Sequence, residues 1–429
     1  MRLLGTVLSA DMRSPAVHFQ AGDVLYGRLR PYLNKVLRPS FEGLCSAEFI
    51  VFPRSEHLDP AYLQYFLNSS QFVGFASHLN AGDRPRVDFE QIASFPIPVP
   101  PLAEQRRIVA AIEEHLSRLD AAVAGLKRVQ AQLPRYRAAV LKAAVEGRLV
   151  KSDSASGGSD TRQAASGRDV LGEAGRTSLA SGEGFWPLPE GWCWARVDSV
   201  GEVTLGRQRA PQYQSGRFSK PYLRVANVSE DHIDLTDVKE MDFDDQHLAK
   251  YRLLEGDILL AEGQSPELVG ESAIYRGGVE ELCFQKTLHR FRADRSVVSP
   301  EYCQMVFKSY LHTGVFRRVA SLTVNIAHLT LERLKPLPFP VPPIQERQRI
   351  VAEVDRRLSI ADALGRASDI AFRRADGLRR AILARAFSGQ LVPQDPNDEP
   401  ASVLLERIRR ARAAAPIKPG RPRRAGARW

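Results

Sequence analysis

Cysteine is scarce. Cys45, Cys193, Cys283 and Cys303 are the four cysteines in 429 residues. None stands in a C-x-x-C pair or at a Cys/His metal spacing, so neither a disulfide framework nor a structural zinc site is expected. Four free thiols in a reducing cytoplasm is the default reading. Long apolar runs are missing too: no stretch reads as a transmembrane helix or a signal peptide. Catalytic signatures are also missing. There is no Gly-rich phosphate loop, no dinucleotide fingerprint, no H-E-x-x-H, no G-x-S-x-G elbow and no Asn/Asp-Pro-Pro-aromatic run. The histidines are scattered without ligand-like pairing. The acidic run Asp242-Phe243-Asp244-Asp245 reads as a solvated loop rather than a metal site. These absences point away from an enzyme and from a metal or cofactor held by this chain.

Charge is present but uneven. The formal net charge is +10, which invites a nucleic-acid reading. Residues 401–429 hold nine Lys or Arg and one Glu, a balance of +8, so the other 400 residues carry only +2. A basic tail of this kind is ordinarily a solvated arm with weak attraction for phosphate.

The chain repeats itself. Residues 95–150 and 337–392 align without a gap at an offset of 242, with 21 identities in 56 positions. Each copy opens on a Pro-rich strand-like run, continues as a long helical pattern and closes on Gly-x-Leu-Val. So long a period fits a duplicated half-molecule rather than a solenoid. In the first copy Val109, Ile112, Leu116, Leu119, Val123, Leu126, Gln130 and Leu133 recur at alternating spacings of three and four, a coiled-coil seam. Gln130 is its one polar member and a register-fixing candidate. Pro134 is expected to kink or restart the helix, and Gly147 is a C-cap. In the second copy Val351, Val354, Leu358 and Ala361 follow the seam, and Gly365 and Ser368 are expected to weaken it.

The repeat continues upstream with drift. Gly22-Asp23-Val24-Leu25 answers Gly256-Asp257-Ile258-Leu259 at an offset of 234, and Pro60-x-Tyr62-x-Gln64 answers Pro300-x-Tyr302-x-Gln304 at 240. Short apolar runs such as Asp23 to Tyr26, Phe49 to Phe52, Pro221 to Val225 and Asp257 to Leu260 read as strands, and a short helix is expected after Pro60 and after Pro300. The recurring Gly-Asp pair reads as a turn. The halves are unequal: 70 residues run from Trp186 to Gly256, but 21 precede Gly22, a shortfall of 49. The expectation is an incomplete first globule, by truncation or a misassigned start. Residues 151–184 read as a flexible Ser/Gly/Ala linker.

At Pro98-x-Pro100-Pro101-Leu-Ala-Glu104-Gln105-Arg-Arg-Ile108-Val109 the sequence resembles the specificity subunits of type I restriction–modification systems. The second copy repeats the motif from Val341 to Val351, with Arg347 where Gln is usual. Runs from Gly22 (GDVLYGRLRPYLNKV), Leu188 (LPEGWCWARV) and Glu399 (EPASVLLERIRRARAAA) resemble the same family. The resemblance covers nearly the whole chain except the linker and final tail.

It implies an α+β fold in which two target-recognition globules alternate with two long helices that pair as an antiparallel coiled-coil spacer. The expected boundaries are 1–101 for the first, N-terminally incomplete globule, 102–150 for the first spacer helix, 151–184 for the linker, 185–343 for the second globule, 344–392 for the second spacer helix, and 393–429 for a basic, largely disordered tail. The implied function is recognition of a bipartite, asymmetric double-stranded DNA site, with docking of two methyltransferase subunits and of restriction/translocase subunits. S-adenosylmethionine is expected in the partner methyltransferase and no cofactor in this chain. Candidate DNA contacts in the first half are Arg28, Arg30, Tyr32, Lys35, Arg84 and Arg86. In the second they are Arg207, Gln208, Arg209, Lys220, Tyr222, Arg224 and Asn227, with Lys286, Arg317 and Arg318 as weaker additions. Arg and Lys suit guanine edges and phosphates, and Asn and Gln suit adenine; most such contacts position rather than specify. Competing readings are an enzyme with an unrecognised site, a coiled-coil scaffold whose first globule no longer reads DNA, and the specificity subunit of a related type II system.

Overall fold

The computed structural model describes residues 16–80, 82–150 and 186–414. The proposed linker, the first fifteen residues and the end of the basic tail lie outside them. The described residues form two compact units. One joins those up to Arg128 with those from Ala367 on, and the other is Val129–Arg366. The sequence boundaries at 101/102 and 343/344 separate globule from helix. Packing instead joins each globule to part of both long helices.

In the first unit, strand Val24–Gly27 is buried throughout and pairs antiparallel with Val36–Leu37 and Phe49–Phe52. Helix Pro60–Leu67 starts where Asp59 accepts hydrogen bonds from the Ala61 and Tyr62 amides, with Pro60 in the first turn. Helix Ser70–His78 is capped by Ser69, and Phe89–Ala93 by the reciprocal pair Asp88 and Gln91. The apolar faces close on Val24, Tyr26, Val36, Phe66, Phe72 and Ile92. The first globule therefore has a packed core of its own.

In the second unit, a four-stranded antiparallel sheet runs in the order Ser272–Ile274, Ile258–Ala261, Leu288–Ala293, Gly201–Leu205. Helix Pro300–His312, capped by Ser299, packs into its core, where Tyr302, Phe307 and Tyr310 are buried. A second sheet holds Ser219–Leu223 between Lys239–Asp242 and Cys283–Phe284.

The duplication is legible in hydrogen bonds. Gly22 and Gly256 both take a positive φ, and the following aspartates, Asp23 and Asp257, each accept from the amide three residues earlier, Gln20 or Leu254. Both Gly-Asp pairs are thus turns. The Tyr62 hydroxyl donates to the Pro98 carbonyl, and that of Tyr302 to the Pro340 carbonyl. Gln105 donates to the carbonyls of Pro100 and His57; Arg347, the departure from the motif, donates to those of Pro342 and Val297. A longer side chain makes the equivalent connections.

The long helices are Leu102–Val145 and Ile344–Phe387. Within the first unit Ile108 and Ile112 pack with Leu383 and Ala386, and Arg379 pairs with Asp120. Within the second, Val140, Leu141 and Ala144 cluster with Ile350 and Val354, and Arg137 pairs with Asp362. In each unit rising residue numbers on the first helix meet falling numbers on the second, so the two segments pair antiparallel there. Three expectations are corrected. Pro134 lies inside a continuous helix, because one lost backbone bond is outweighed by packing on both sides of it. Of the first seam only Ile112 is fully buried; Val109, Leu116, Leu119, Val123, Leu126 and Leu133 are half-buried and Gln130 is exposed. In the second helix Ser368 is buried with Ala361 and Ala375, and Gly365 lies against Leu133, so small residues continue the seam rather than break it. Val354 is buried there, with Val351 and Leu358 half-buried. Within the segment from 393, the sequence pattern over 403–415 suits one short helix. Asp398 pairs with Arg107 at 2.6 Å, and Ala401–Ala414 is helical.

Candidate nucleic-acid interface

In the first unit the chain leaves strand Val24–Gly27 and runs beside residues 85–87. The Arg30 amide donates to the Pro85 carbonyl at 2.7 Å, the Val87 amide donates to the Arg28 carbonyl at 3.1 Å, and Leu29 bridges Arg86. Two basic stretches 56 residues apart in sequence, Arg28 with Arg30 and Arg84 with Arg86, thus share one edge. Their roles differ. The Arg28 Nε donates to the Val87 carbonyl, so this side chain ties the edge together. Arg86 pairs with Glu48 at 3.1 Å on the surface, a contact of the kind worth under about 1 kcal/mol. Arg30 and Arg84 are exposed. Arg30 sits at φ 55°, a left-handed conformation uncommon outside glycine, before the turn Pro31–Leu33. That turn presents Tyr32, which is 52% exposed. Lys35 is half-buried with its stem against Gly27.

The second set of candidates divides more sharply. Tyr222 is 3% exposed and packs with Met241, Phe243 and Cys283. Asn227 is equally buried and donates to the carbonyls of Asp234 and Asp237. The Arg207 guanidinium is buried over the Tyr213 ring at 4.0 Å and donates to the Asp242 carbonyl. These three are corrected: their polar groups serve the fold. Lys220 pairs with Glu281 and Arg224 with Asp237, so both charges are met inside the globule. Gln208 and Arg209 are exposed, as are Lys286, Arg317 and Arg318.

The acidic run has a structural explanation. Asp242 accepts from the amides of Ser215, Gly216 and Phe218 and from the Ser215 hydroxyl. Asp244 caps helix Asp245–Tyr251. The Ser215 hydroxyl, followed by the backbone amides, holds the Asp242 carboxyl below its ordinary value near 3.8. A depressed folded-state value stabilises above the ordinary carboxylate range and is lost as pH falls through the folded value. Hydrogen-exchange protection factors in residues 209–218 are therefore expected to fall below about pH 4, and Asp242→Asn is expected to lower them at neutral pH. Unchanged protection in the variant would remove Asp242 as the anchor of the loop that follows Gln208 and Arg209.

Sequence reasoning missed a hairpin. Strand Ser321–Thr323 pairs with Ile326–His328, which pairs in turn with Gly263–Gln264. Leu322 is 67% and Val324 93% exposed, with Ile326 exposed beside them. The alternation Leu-Thr-Val-Asn-Ile around a turn residue was the available signal. Its position is informative. Gly263 faces His328 just as Leu29 faces Arg86, at the same offsets of 234 and 242 that relate the rest of the repeat. Ile326 therefore stands where Arg84 stands. At this edge, present in both globules, exposed Arg84 in the first answers exposed Ile326 in the second, where the hairpin adds exposed Leu322 and Val324.

The comparisons with known proteins agree on one family. Residues 22–133 match the family model for the type I restriction modification DNA specificity domain. The chain is similar to the specificity subunits of type I restriction–modification systems. It is 26% identical to the EcoKI specificity subunit of Escherichia coli K12 over 88% of this chain and 75% of that protein. To the StySPI specificity subunit of Salmonella potsdam it is also 26% identical, over 88% and 76%. Its fold is similar to the HsdS subunit of Thermoanaerobacter tengcongensis, with a TM-score of 0.60 at 22% identity over 90% of this chain and 85% of that one. The α+β architecture of two globules and a paired-helix spacer is the specificity-subunit fold. No helix among the described residues is long and apolar enough to cross a membrane.

Proposed function

We propose that this chain is the DNA-recognition subunit of a type I restriction–modification complex and that its two globules read the two halves of a bipartite, asymmetric target. The observation that carries this reading is the shared edge. Arg30, Arg84 and Arg86 occupy it in the first globule, and Leu322, Val324 and Ile326 extend from it in the second. Equivalent surfaces with different chemistry suit different half-sites. Guanidinium groups suit phosphates and guanine edges; apolar groups suit the thymine methyl, and a two-stranded ribbon fits the major groove. The paired helices then set the gap between half-sites, about one turn of DNA or roughly 34 Å.

The chain is non-catalytic in this reading. Methyl transfer and cleavage belong to two methyltransferase subunits and to restriction/translocase subunits that dock on it in the cytoplasm. S-adenosylmethionine is bound by the methyltransferase. Co-expression with the cognate methyltransferase, followed by mapping of methylated adenines, is the test. A bipartite asymmetric motif is expected; a palindrome means that one globule alone reads, and absence of methylation favours a scaffold. Inserting one heptad in either long helix is expected to shift the half-site gap or abolish modification, and an unaltered gap rules out the spacer role.

A further inference from the structure

The two units share a pair of acceptors but not the donors that serve them. In the first unit Leu25 pairs with Leu37, and the next residue, Arg38, donates from its Nε to the Gln64 Oε1 at 3.1 Å. The Tyr65 hydroxyl lies beside Glu113, with the Arg38 guanidinium close by. A guanidinium and a phenol there meet an amide oxygen and a carboxylate.

In the second unit the acceptors recur and both donors are replaced. Leu259, which answers Leu25, pairs with Ala273, so Ile274 stands where Arg38 stands. At the offset of 240 Gln304 answers Gln64 and Met305 answers Tyr65; at 242 Asp355 answers Glu113. Gln304 is 5% exposed. Its Nε2 donates to Asp231 and to the Ser272 carbonyl, while its Oε1 is buried and meets no donor among the described residues. A buried acceptor left without a donor is unfavourable. Asp355 accepts no hydrogen bond and joins no ion pair among the described residues. Ile274, Gln304, Met305 and Asp355 line one cavity of about 240 Å³, with Leu141, Val351, Val354 and Leu358 as its apolar wall. It lies wholly within the second unit. Three carboxylates on the lining face two cations, and both cations are engaged: Lys308 by Asp231, and Arg276 by Glu301 at 3.3 Å. Asp355 is the carboxylate left over.

We infer that this cavity is a binding site for an alkylguanidinium, the chemistry of an arginine side chain. Its N–H donors meet the Gln304 Oε1 and the Asp355 carboxylate, the two acceptors whose counterparts Arg38 and Tyr65 serve in the first unit. Its methylenes lie along the apolar wall. A guanidinium carries five donors in one plane and so reaches an amide oxygen and a carboxylate together, whereas an ammonium is a compact point charge. The inference rests on the internal duplication and stands apart from the DNA-reading role.

The experiment is isothermal titration of the full chain with butylguanidinium, with butylammonium, and with an end-blocked peptide that holds one arginine between alanines. Saturable binding of one butylguanidinium per chain is expected, about tenfold tighter than that of butylammonium. Both orders of affinity between peptide and butylguanidinium support the site and name its source: a tighter peptide means a partner polypeptide, a weaker one a free guanidine. Asp355→Asn removes a charge that has no partner, so the fold persists and binding is expected to weaken about tenfold or more. Ile274→Arg restores the residue type of the first unit, and its own guanidinium is expected to fill the site and abolish binding. No binding to the wild type, equal affinity for butylammonium, or binding that both variants leave unchanged overturns the inference. So does binding seen only in Arg276→Ala, since Arg276 would then be the occupant.

Discussion

The double substitution Arg30→Ala with Arg84→Ala is expected to weaken binding of a cognate duplex by ten- to a hundredfold at about 0.1 M salt, and to lower the slope of log affinity against log salt by about two. Both side chains are exposed on a backbone fixed by the Arg30–Pro85 hydrogen bond and the Leu29–Arg86 bridge. Their removal therefore costs charge at the interface and little stability. Arg28→Ala should behave differently. Its guanidinium holds the Val87 carbonyl, so the loss appears as a looser edge. The matching experiment in the second globule is Leu322→Ser with Val324→Ser. No charge changes, so the salt slope should stay constant while discrimination among second half-sites falls, at about 1–3 kcal/mol per misread base pair. Salt-titrated anisotropy with duplexes altered in one half-site separates these outcomes. An unchanged slope and affinity in the arginine double variant would remove that edge from the interface.

Gly147→Ala is expected to destabilise the protein by about 2–4 kcal/mol, and Gly389→Ala by only about 1. Both residues cap a long helix in the left-handed conformation, which costs a residue with a Cβ about 1 kcal/mol. Only Gly147 adds a collision, with the ring of Pro189. Overpacking of that kind costs a further 1–3 kcal/mol or so. Urea denaturation followed by tryptophan fluorescence reads the difference directly, since Trp186 and Trp192 both sit at this contact. Equal losses in the two variants would mean that Pro189 does not press on Gly147 and that the two caps have the same surroundings.

Much of the fold was legible because it depends on local pattern. Prolines 96 to 101 and 338 to 343 stop a helix, and heptad spacing beyond them starts one. The Gly-Asp pairs announced turns that the hydrogen bonds of Asp23 and Asp257 realise. The caps at Asp59 and Ser299 follow from a polar residue before proline. Where local pattern misled, a neighbour remote in sequence decided. Pro134 stays helical because both sides of it are packed. Gly365 joins the seam because the Leu133 side chain lies against it.

The candidate interface was legible only in part, since composition marks where arginines cluster but not which way each one faces. Arg207 and Arg209 are two residues apart; one lies buried over the Tyr213 ring and the other is exposed. Tyr222 and Asn227 sit in a basic, aromatic stretch that resembles a binding surface and is in fact core. The exposed Leu322 and Val324 were passed over because apolar residues read as interior. By itself, the sequence determined the duplication, the two long helices, their seam-forming tendency and the family that the chain resembles. Those properties are carried by spacing along the chain. Only the tertiary structure decided which charges are met within a globule, that 28–30 and 84–86 form one edge, and that Arg84 there answers an exposed Ile326 in the other half. Burial and pairing are set by residues tens to hundreds of positions away, and spacing along the chain does not contain them.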